Sequence, residues 1–178
     1  VMAARISSGL HVEPEILLKK RVAPKPLSFP TEHLDVVRDG MNLVVNGAGT
    51  AVRSKLQLEN ITMAGKTGTA QVRRIAGAQR GQSGAWKYRD HGLFVCFAPV
   101  AAPRYAASVV IEHGMGGARA AAPIAKDVLT FLYDRAQAMA SLEALEAGWG
   151  GNIEQRMAAK YATFQGQPAA PPPLDPTI

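Results

Sequence analysis

Residues Ala64–Val72 read Ala-Gly-Lys-Thr-Gly-Thr-Ala-Gln-Val. We predict a β-strand over about residues 62–73. Lys66, Thr67, Gly68 and Thr69 lie at its centre. They are the candidate binding residues from which the rest of the sequence is interpreted.

Lys-Thr-Gly is one of three motifs, with Ser-x-x-Lys and Ser-Asp-Asn, that mark class A β-lactamases and penicillin-binding proteins. A bare Lys-Thr-Gly also occurs by accident, as a surface lysine beside a turn. The eight residues Gly65–Val72 and the strands that follow them favour the first reading. This longer match resembles the class B penicillin-binding proteins of the elongation type (penicillin-binding protein 2).

The resemblance implies a role for each residue of the motif. Lys66 and Thr67 would bind the terminal carboxylate of a donor peptide, with the hydroxyl of Thr69 as a further contact. Gly68 would let the substrate lie close to the strand backbone. If the strand lies at a sheet edge, its unpaired N–H groups face the substrate. By resemblance, the N–H of Thr69 is one donor to the oxyanion, and the nucleophilic serine supplies the other.

Composition bounds the class of protein. The 178 residues suffice for one domain with a core, and the net charge is +6. The Lys and Arg residues are scattered, without the basic helix and interleaved aromatics of a nucleic-acid surface, so we predict no nucleic-acid partner. The single cysteine, Cys96, lies in an apolar run and reads as a buried hydrophobe. The four histidines lack metal-ligand spacing, and we predict no cofactor or metal.

The pattern of apolar residues predicts an α+β fold (an α/β sandwich), in which an antiparallel sheet is flanked by helices. Strands are expected at about 62–73, 91–99 and 104–113, the last two as a hairpin. The apolar run Leu93–Ala98 predicts a strand covered on both faces. Helices are expected at 1–8 (ended by Gly9), 32–46, 120–147 and 152–164.

Two of these helices carry predicted core-facing stripes. On the 32–46 helix the stripe is Leu34, Val37, Met41, Val44 and Val45. On the 120–147 helix it is Ile124, Val128, Leu132, Arg135, Met139, Leu142 and Leu145. The organisation predicted is residues 1–147 as the C-terminal part of a transpeptidase domain, and 148–178 as a helical then Pro-rich, disordered tail. This corresponds to a partial penicillin-binding transpeptidase, or serine β-lactamase-like, fold.

The remaining two motifs of the family are missing from this sequence. The serines are Ser7, Ser8, Ser28, Ser54, Ser83, Ser108 and Ser141, and none has Lys three residues on or Asn two residues on. We therefore expect the nucleophile to lie outside this chain and the chain alone to be inactive. His91 opens a strand, and we expect it to make a structural hydrogen bond. Gly49-Thr50-Ala51 matches a Gly-Thr-Ala element of the family, with a plain turn as the alternative.

The function implied is a fragment of a peptidoglycan D,D-transpeptidase that cross-links stem peptides during elongation and is acylated by β-lactams. The implied partners are stem peptides, β-lactams, an elongation glycosyltransferase and membrane proteins. The implied location is the periplasmic face of the inner membrane, with the anchor outside this chain. The alternatives are a non-catalytic binding or scaffold module of the same fold, and a β-lactamase or β-lactam sensor, which the Ala-Gln-Val extension disfavours.

Overall fold

The computed structural model describes residues 1–16, 22–72 and 85–166. The helices are α1 (Met2–Ser8), α2 (Thr31–Asn46), α3 (Gly117–Ala120), α4 (Ala122–Tyr133), α5 (Arg135–Gly148) and α6 (Ile153–Gln165). The strands are β1 (Ala64–Ala70), β2 (His91–Ala98) and β3 (Tyr105–Ile111). Short 3-10 turns occupy Val52–Ser54 and Trp86–Tyr88.

The three strands form one antiparallel sheet in the order β1-β2-β3. Lys66 lies opposite Val95, which lies opposite Ser108 on the third strand. The predicted antiparallel sheet flanked by helices is therefore confirmed, including the β2–β3 hairpin. Most of the segment between the first two predicted strands falls outside the described residues.

The sheet separates two clusters of buried side chains, because successive residues of a strand point to opposite faces. Phe94 and Cys96 point to the face covered by α4 and the end of α2, where they meet Val45 and Leu129. Phe97 points to the other face, where Ala64 and Met41 cover it. Burying a phenylalanine side chain contributes about 1.5–3 kcal/mol to stability. Phe94 and Phe97 therefore contribute strongly to the free energy of folding, one on each face of the sheet.

Coverage of the second strand is uneven along its length. Phe94, Cys96, Phe97 and Ala98 are fully buried, whereas Leu93 and Val95 are half-buried. The prediction of a strand covered on both faces is thus right at the Phe97 end. It is only partly right at Leu93 and Val95, which share a face with the exposed Lys66.

The first two helices lie as predicted. The first ends at Gly9, whose φ of +72° belongs to the left-handed region and whose N–H donates to Arg5 O at 2.8 Å. In α2, Met41 and Val45 are buried. Val37 was expected in the same stripe but is 44% exposed. The stripe prediction is therefore wrong at Val37, whereas Leu34 and Val44 are half-buried.

The long C-terminal helix predicted over 120–147 is wrong in two respects. It breaks at Asp134, which leaves the helical region with φ −143° and ψ 89°, so α4 and α5 are separate helices. The buried face of α4 is Ala122, Ala125 and Leu129 rather than the predicted Ile124, Val128 and Leu132, which are exposed. Alanines let the helix axis approach the sheet closely, and periodicity cannot rank two neighbouring apolar stripes when one is made of small residues.

The chain divides into two compact units, Val1–Asp134 and a second that begins at Arg135. In the second unit Gly150 and Gly151, with φ of +88° and +106°, turn the chain between α5 and α6. Asn152 and Gln155 then form a reciprocal capping box at the start of α6. The predicted boundary at 147 and 148 stays a prediction, and residues 167–178 of the predicted tail lie outside the described part. No helix among the described residues is long and apolar enough to cross a membrane.

Burial makes the Cys96 thiol chemically inert in the native protein. Desolvation raises the pKa of Cys96 from 9.0 to about 11, against a smaller opposing effect from the backbone of Ala107. At pH 8 we expect no labelling by a thiol reagent in the folded chain, and full labelling after unfolding in denaturant. Labelling of the native chain at the rate of a free thiol would refute this burial.

Candidate functional site

The strand that carries Lys-Thr-Gly is an edge of the sheet. It pairs with β2 on one side, and no strand in the described parts of the chain pairs with its other side. The directions of its backbone groups follow from two contacts. The carbonyl of Thr62 accepts from Val100 N–H at 3.0 Å, on the side of β2. The carbonyl of Met63 accepts from the side-chain amide of Asn46 at 2.9 Å, on the open side.

Backbone groups of alternate residues in an antiparallel strand point to the same edge. The groups of Gly65, Thr67 and Thr69 therefore face the open side, as that of Met63 does. One contact supports this directly, because the carbonyl of Thr67 accepts from Lys66 Nζ at 2.9 Å. The N–H of Thr69 lies at the open edge of the sheet, within the same row of groups.

The side chains of the motif divide between the two faces. Lys66 lies opposite Val95, and Thr67 lies opposite Phe94, so the two side chains leave the strand in opposite directions. Lys66 and the hydroxyl of Thr67 therefore begin on different faces of the sheet. The exposed Lys66 side chain bends round the open edge, which brings its ammonium group to the backbone of Thr67.

Thr50 is brought to the site, and our set of site residues did not include it. Its hydroxyl oxygen lies 2.9 Å from the hydroxyl oxygen of Thr67. The turn that carries Thr50 is held to the end of α2, because Ala51 N–H donates to Val44 O at 3.0 Å. A side chain at Gly49 would overlap Val44 and lie 2.7 Å from the carbonyl of Leu43. The Gly-Thr-Ala element is the sequence signal for this turn, and its threonine contacts the Lys-Thr-Gly strand.

The two glycines of the strand, Gly65 and Gly68, differ in the space around them. A Cβ at Gly65 would overlap the ring of Phe94 and lie 2.8 Å from Val95 O, so the core needs glycine there. A Cβ at Gly68 would lie 3.4 Å from the Leu93 Cβ, which is an ordinary contact. The internal packing of this chain therefore accounts for Gly65 but not for Gly68.

His91 serves the structure of the strand ends, as expected. Its Nδ1 accepts from His113 N–H at 2.9 Å, so the neutral ring carries its proton on Nε2. His113 Nδ1 lies 2.9 Å from the carbonyl of Arg89, to which it donates. The Trp86 ring packs 4.2 Å from the His113 ring. In the described ranges, no group of three or more acidic, histidine or cysteine side chains is arranged to hold a metal ion.

The open edge thus combines a lysine cation, a pair of hydroxyls and outward-facing backbone N–H groups. Such a set complements a carboxylate and, a short distance away, a developing oxyanion. The family model of the penicillin-binding protein transpeptidase domain matches residues 1–130. The chain belongs to the penicillin-binding protein transpeptidase family.

Relatives of this transpeptidase family place the chain more narrowly. It is 41% identical over 146 residues to the peptidoglycan D,D-transpeptidase MrdA of Acinetobacter baumannii, covering 73% of this chain and 21% of that protein. The MrdA of Haemophilus influenzae is 32% identical over 99 residues, covering 54% of this chain and 15% of that protein. The chain spans about a fifth of the length of such curated relatives.

Solved structures agree with that placement. The penicillin-binding protein 2 of Helicobacter pylori, in complex with MreC, superposes with a TM-score of 0.61 at 29% identity, over 76% of this chain and 23% of that one. The penicillin-binding protein 2 of Pseudomonas aeruginosa, in complex with WCK 5153, gives 0.54 at 32% identity, over 72% and 27%. The predicted penicillin-binding protein 2 type of transpeptidase fragment and its fold are confirmed.

The two glycines offer a matched test of the strand geometry. Gly65→Ala should lower the free energy of unfolding by about 1–3 kcal/mol, the usual cost of overpacking a core. Gly68→Ala should lower it less, because its added methyl group finds ordinary contact distance. Denaturant unfolding of both variants measures the difference. Equal losses at the two positions would contradict the packing of Phe94 over Gly65.

Proposed function

We propose that the open edge of β1 is the substrate-binding edge of a peptidoglycan D,D-transpeptidase, and that this chain is the C-terminal part of its catalytic domain. The observation that carries the proposal is the arrangement of Lys66, Thr67 and Thr69 along an unpaired strand edge, with Lys66 Nζ drawn to that edge. An extended peptide can lie antiparallel along such an edge, because the backbone groups of Thr67 and Thr69 face outward.

The chemistry assigned to this edge has two parts. Lys66 and the hydroxyl of Thr67 bind the terminal carboxylate of the donor stem peptide through charge-assisted hydrogen bonds. The N–H of Thr69 stabilises negative charge on the penultimate D-Ala carbonyl oxygen. A serine supplied from outside this chain attacks that carbonyl, and the bond to the terminal D-Ala breaks. The acyl group then passes from the serine to an acceptor amine.

Thr50 is placed to orient the hydroxyl hydrogen of Thr67. A hydroxyl has one hydrogen to donate and two lone pairs to accept. If Thr50 donates to Thr67 across their 2.9 Å contact, the hydrogen of Thr67 remains available to the substrate carboxylate. This arrangement makes Thr50 a positioning residue for Thr67 rather than a direct ligand.

The wider setting is proposed from the relatives. Penicillin-binding protein 2 of Helicobacter pylori forms a complex with MreC, which supports a protein of that kind as a partner. Membrane proteins of the elongation machinery are proposed from the resemblance. Stem peptides, β-lactams and an elongation glycosyltransferase complete the proposed set. The proposed location is the periplasmic face of the inner membrane. Every curated relative reported above carries a transpeptidase name, which favours this function over a scaffold module or a β-lactamase.

Lys66→Ala tests the assignment in the full-length transpeptidase of which we propose this chain is part. Loss of a charged hydrogen-bond partner should reduce the second-order rate of penicillin acylation roughly 10-fold to 100-fold. The measurement is the time course of the covalent adduct by intact mass. Lys55→Ala is the matched control, since Lys55 is an exposed lysine in the segment before β1. Near-normal acylation by Lys66→Ala would contradict the role of Lys66.

The isolated chain is the second arm of that experiment. It contains no Ser-x-x-Lys, so we expect it to gain no mass after incubation with penicillin. A stoichiometric adduct on the isolated chain would mean that one of its own serines is activated, and would overturn the proposed division of the site.

A further inference from the structure

The turn between β3 and α3, residues 113–117, folds back over the start of the second strand. Met115 N–H donates to Asp90 O at 2.8 Å, and His113 N–H donates to His91 Nδ1 at 2.9 Å. His113 and Met115 adopt φ of +56° and +69°, which non-glycine residues seldom do. Both left-handed residues are thus held by hydrogen bonds to the two residues just before Gly92.

The turn then passes over the sheet at very short range. A Cβ at Gly92 would lie 3.0 Å from the backbone carbonyl of Gly116. A Cβ at Gly117 would overlap the carbonyl oxygen of Leu93 and lie 2.7 and 2.9 Å from the O and N of Gly68. The first residue of α3 therefore rests directly on the backbone of the Gly68–Leu93 pair, with no side chain between them.

This contact lies next to the proposed chemistry. Gly68 is the glycine of Lys-Thr-Gly, and the peptide bond that follows it contains the N–H of Thr69. A strand at an open edge has neighbours on one side only, so its backbone position depends on what packs against its faces. Gly117 supplies such a support at the residue where a small displacement would move the Thr69 N–H.

We propose that Gly117 is a positioning residue of the site: its missing side chain lets α3 rest on the backbone of Gly68 and so fixes the direction of the Thr69 N–H. The effect on acylation rests on the proposed function. The support that Gly117 gives to the strand does not depend on the proposed function. An oxyanion donor must sit within a few tenths of an ångström of its working position, so a displaced Gly68 would slow acylation more than it would weaken binding.

The adjacent glycine provides a matched control. Gly116 has open space within 4 Å of its Cβ position and an extended φ of −157°, which any residue adopts. Gly116→Ala and Gly117→Ala therefore add the same methyl group at neighbouring positions of one turn. Gly92→Ala adds a methyl group on the other side of the same contact, on the strand that faces the turn. Leu129→Ala, on the buried face of α4, controls for simple loss of stability.

The first readout is independent of function. In the present chain, Gly117→Ala should shift the backbone amide resonances of Gly68, Thr69 and Ala70, and Gly116→Ala should leave them unchanged. If Gly117→Ala leaves these resonances in place, the inference is overturned.

The second readout is the acylation step in the full-length transpeptidase, separated from noncovalent binding by stopped-flow with a chromogenic cephalosporin. The acylation rate constant of Gly117→Ala should fall about tenfold or more with little change in the binding constant, and Gly92→Ala should do the same. Gly116→Ala and Leu129→Ala should acylate at the unsubstituted rate per folded molecule.

If the acylation rate constant of Leu129→Ala fell as much as that of Gly117→Ala, Gly117 would be a stability residue only, and the proposal would be overturned. If the unsubstituted protein is not acylated at all while the amide shifts occur, the proposed function fails and the support of the strand by Gly117 stands.

Discussion

The packing of Phe94 over Gly65 is the interaction on which the site depends. The ring occupies the space that a side chain at Gly65 would fill, and both residues are buried. A slip of one residue between the first two strands would put a side chain in that space and would reverse the faces of the whole strand. The fixed register also decides which backbone groups face the open edge. Core packing and the direction of the Thr69 N–H are therefore set by one contact.

Two segments, one before and one after β1 in the sequence, hold this edge in place. The turn after α2 brings Thr50 to the hydroxyl of Thr67, and the turn after β3 brings Gly117 onto the backbone of Gly68. Both use glycine to approach a neighbouring backbone closely, at Gly49 and at Gly117. The Lys-Thr-Gly strand is thus supported from two directions while its outer edge stays open. That combination of a rigid backbone and an unpaired edge suits the binding of an extended peptide.

The sequence predicts the elements better than the faces they bury. The strands and the first two helices follow from apolar runs, prolines and the Gly9 cap, which are local signals. The buried face of α4 does not, because Ala122 and Ala125 are chosen by their small size against the sheet rather than by hydrophobicity. No proline or glycine marks the helix break at Asp134 in the sequence. The break is visible only in the backbone angles of that residue.

The site divides in the same way. Lys66, Thr67 and Thr69 are recognisable because the motif is contiguous in sequence. The bent path of the Lys66 side chain follows from strand alternation, which the motif alone does not express. Thr50 lies seventeen residues from Thr67, and Gly117 lies far from Gly68 in sequence, so their contacts depend on the tertiary fold. A glycine also has no side-chain functional group that would mark it as part of a site. Only the space around it in the structure shows why glycine is needed.

A crystal structure of the full-length transpeptidase acylated by penicillin would show whether the outward N–H of Thr69 is an oxyanion donor. We predict that the acyl carbonyl oxygen lies about 2.7–3.1 Å from the Thr69 nitrogen, with the antibiotic carboxylate on Lys66 and Thr67. An acyl group whose carbonyl oxygen lies beyond hydrogen-bonding distance of Thr69, with the edge of β1 unoccupied, would contradict the account.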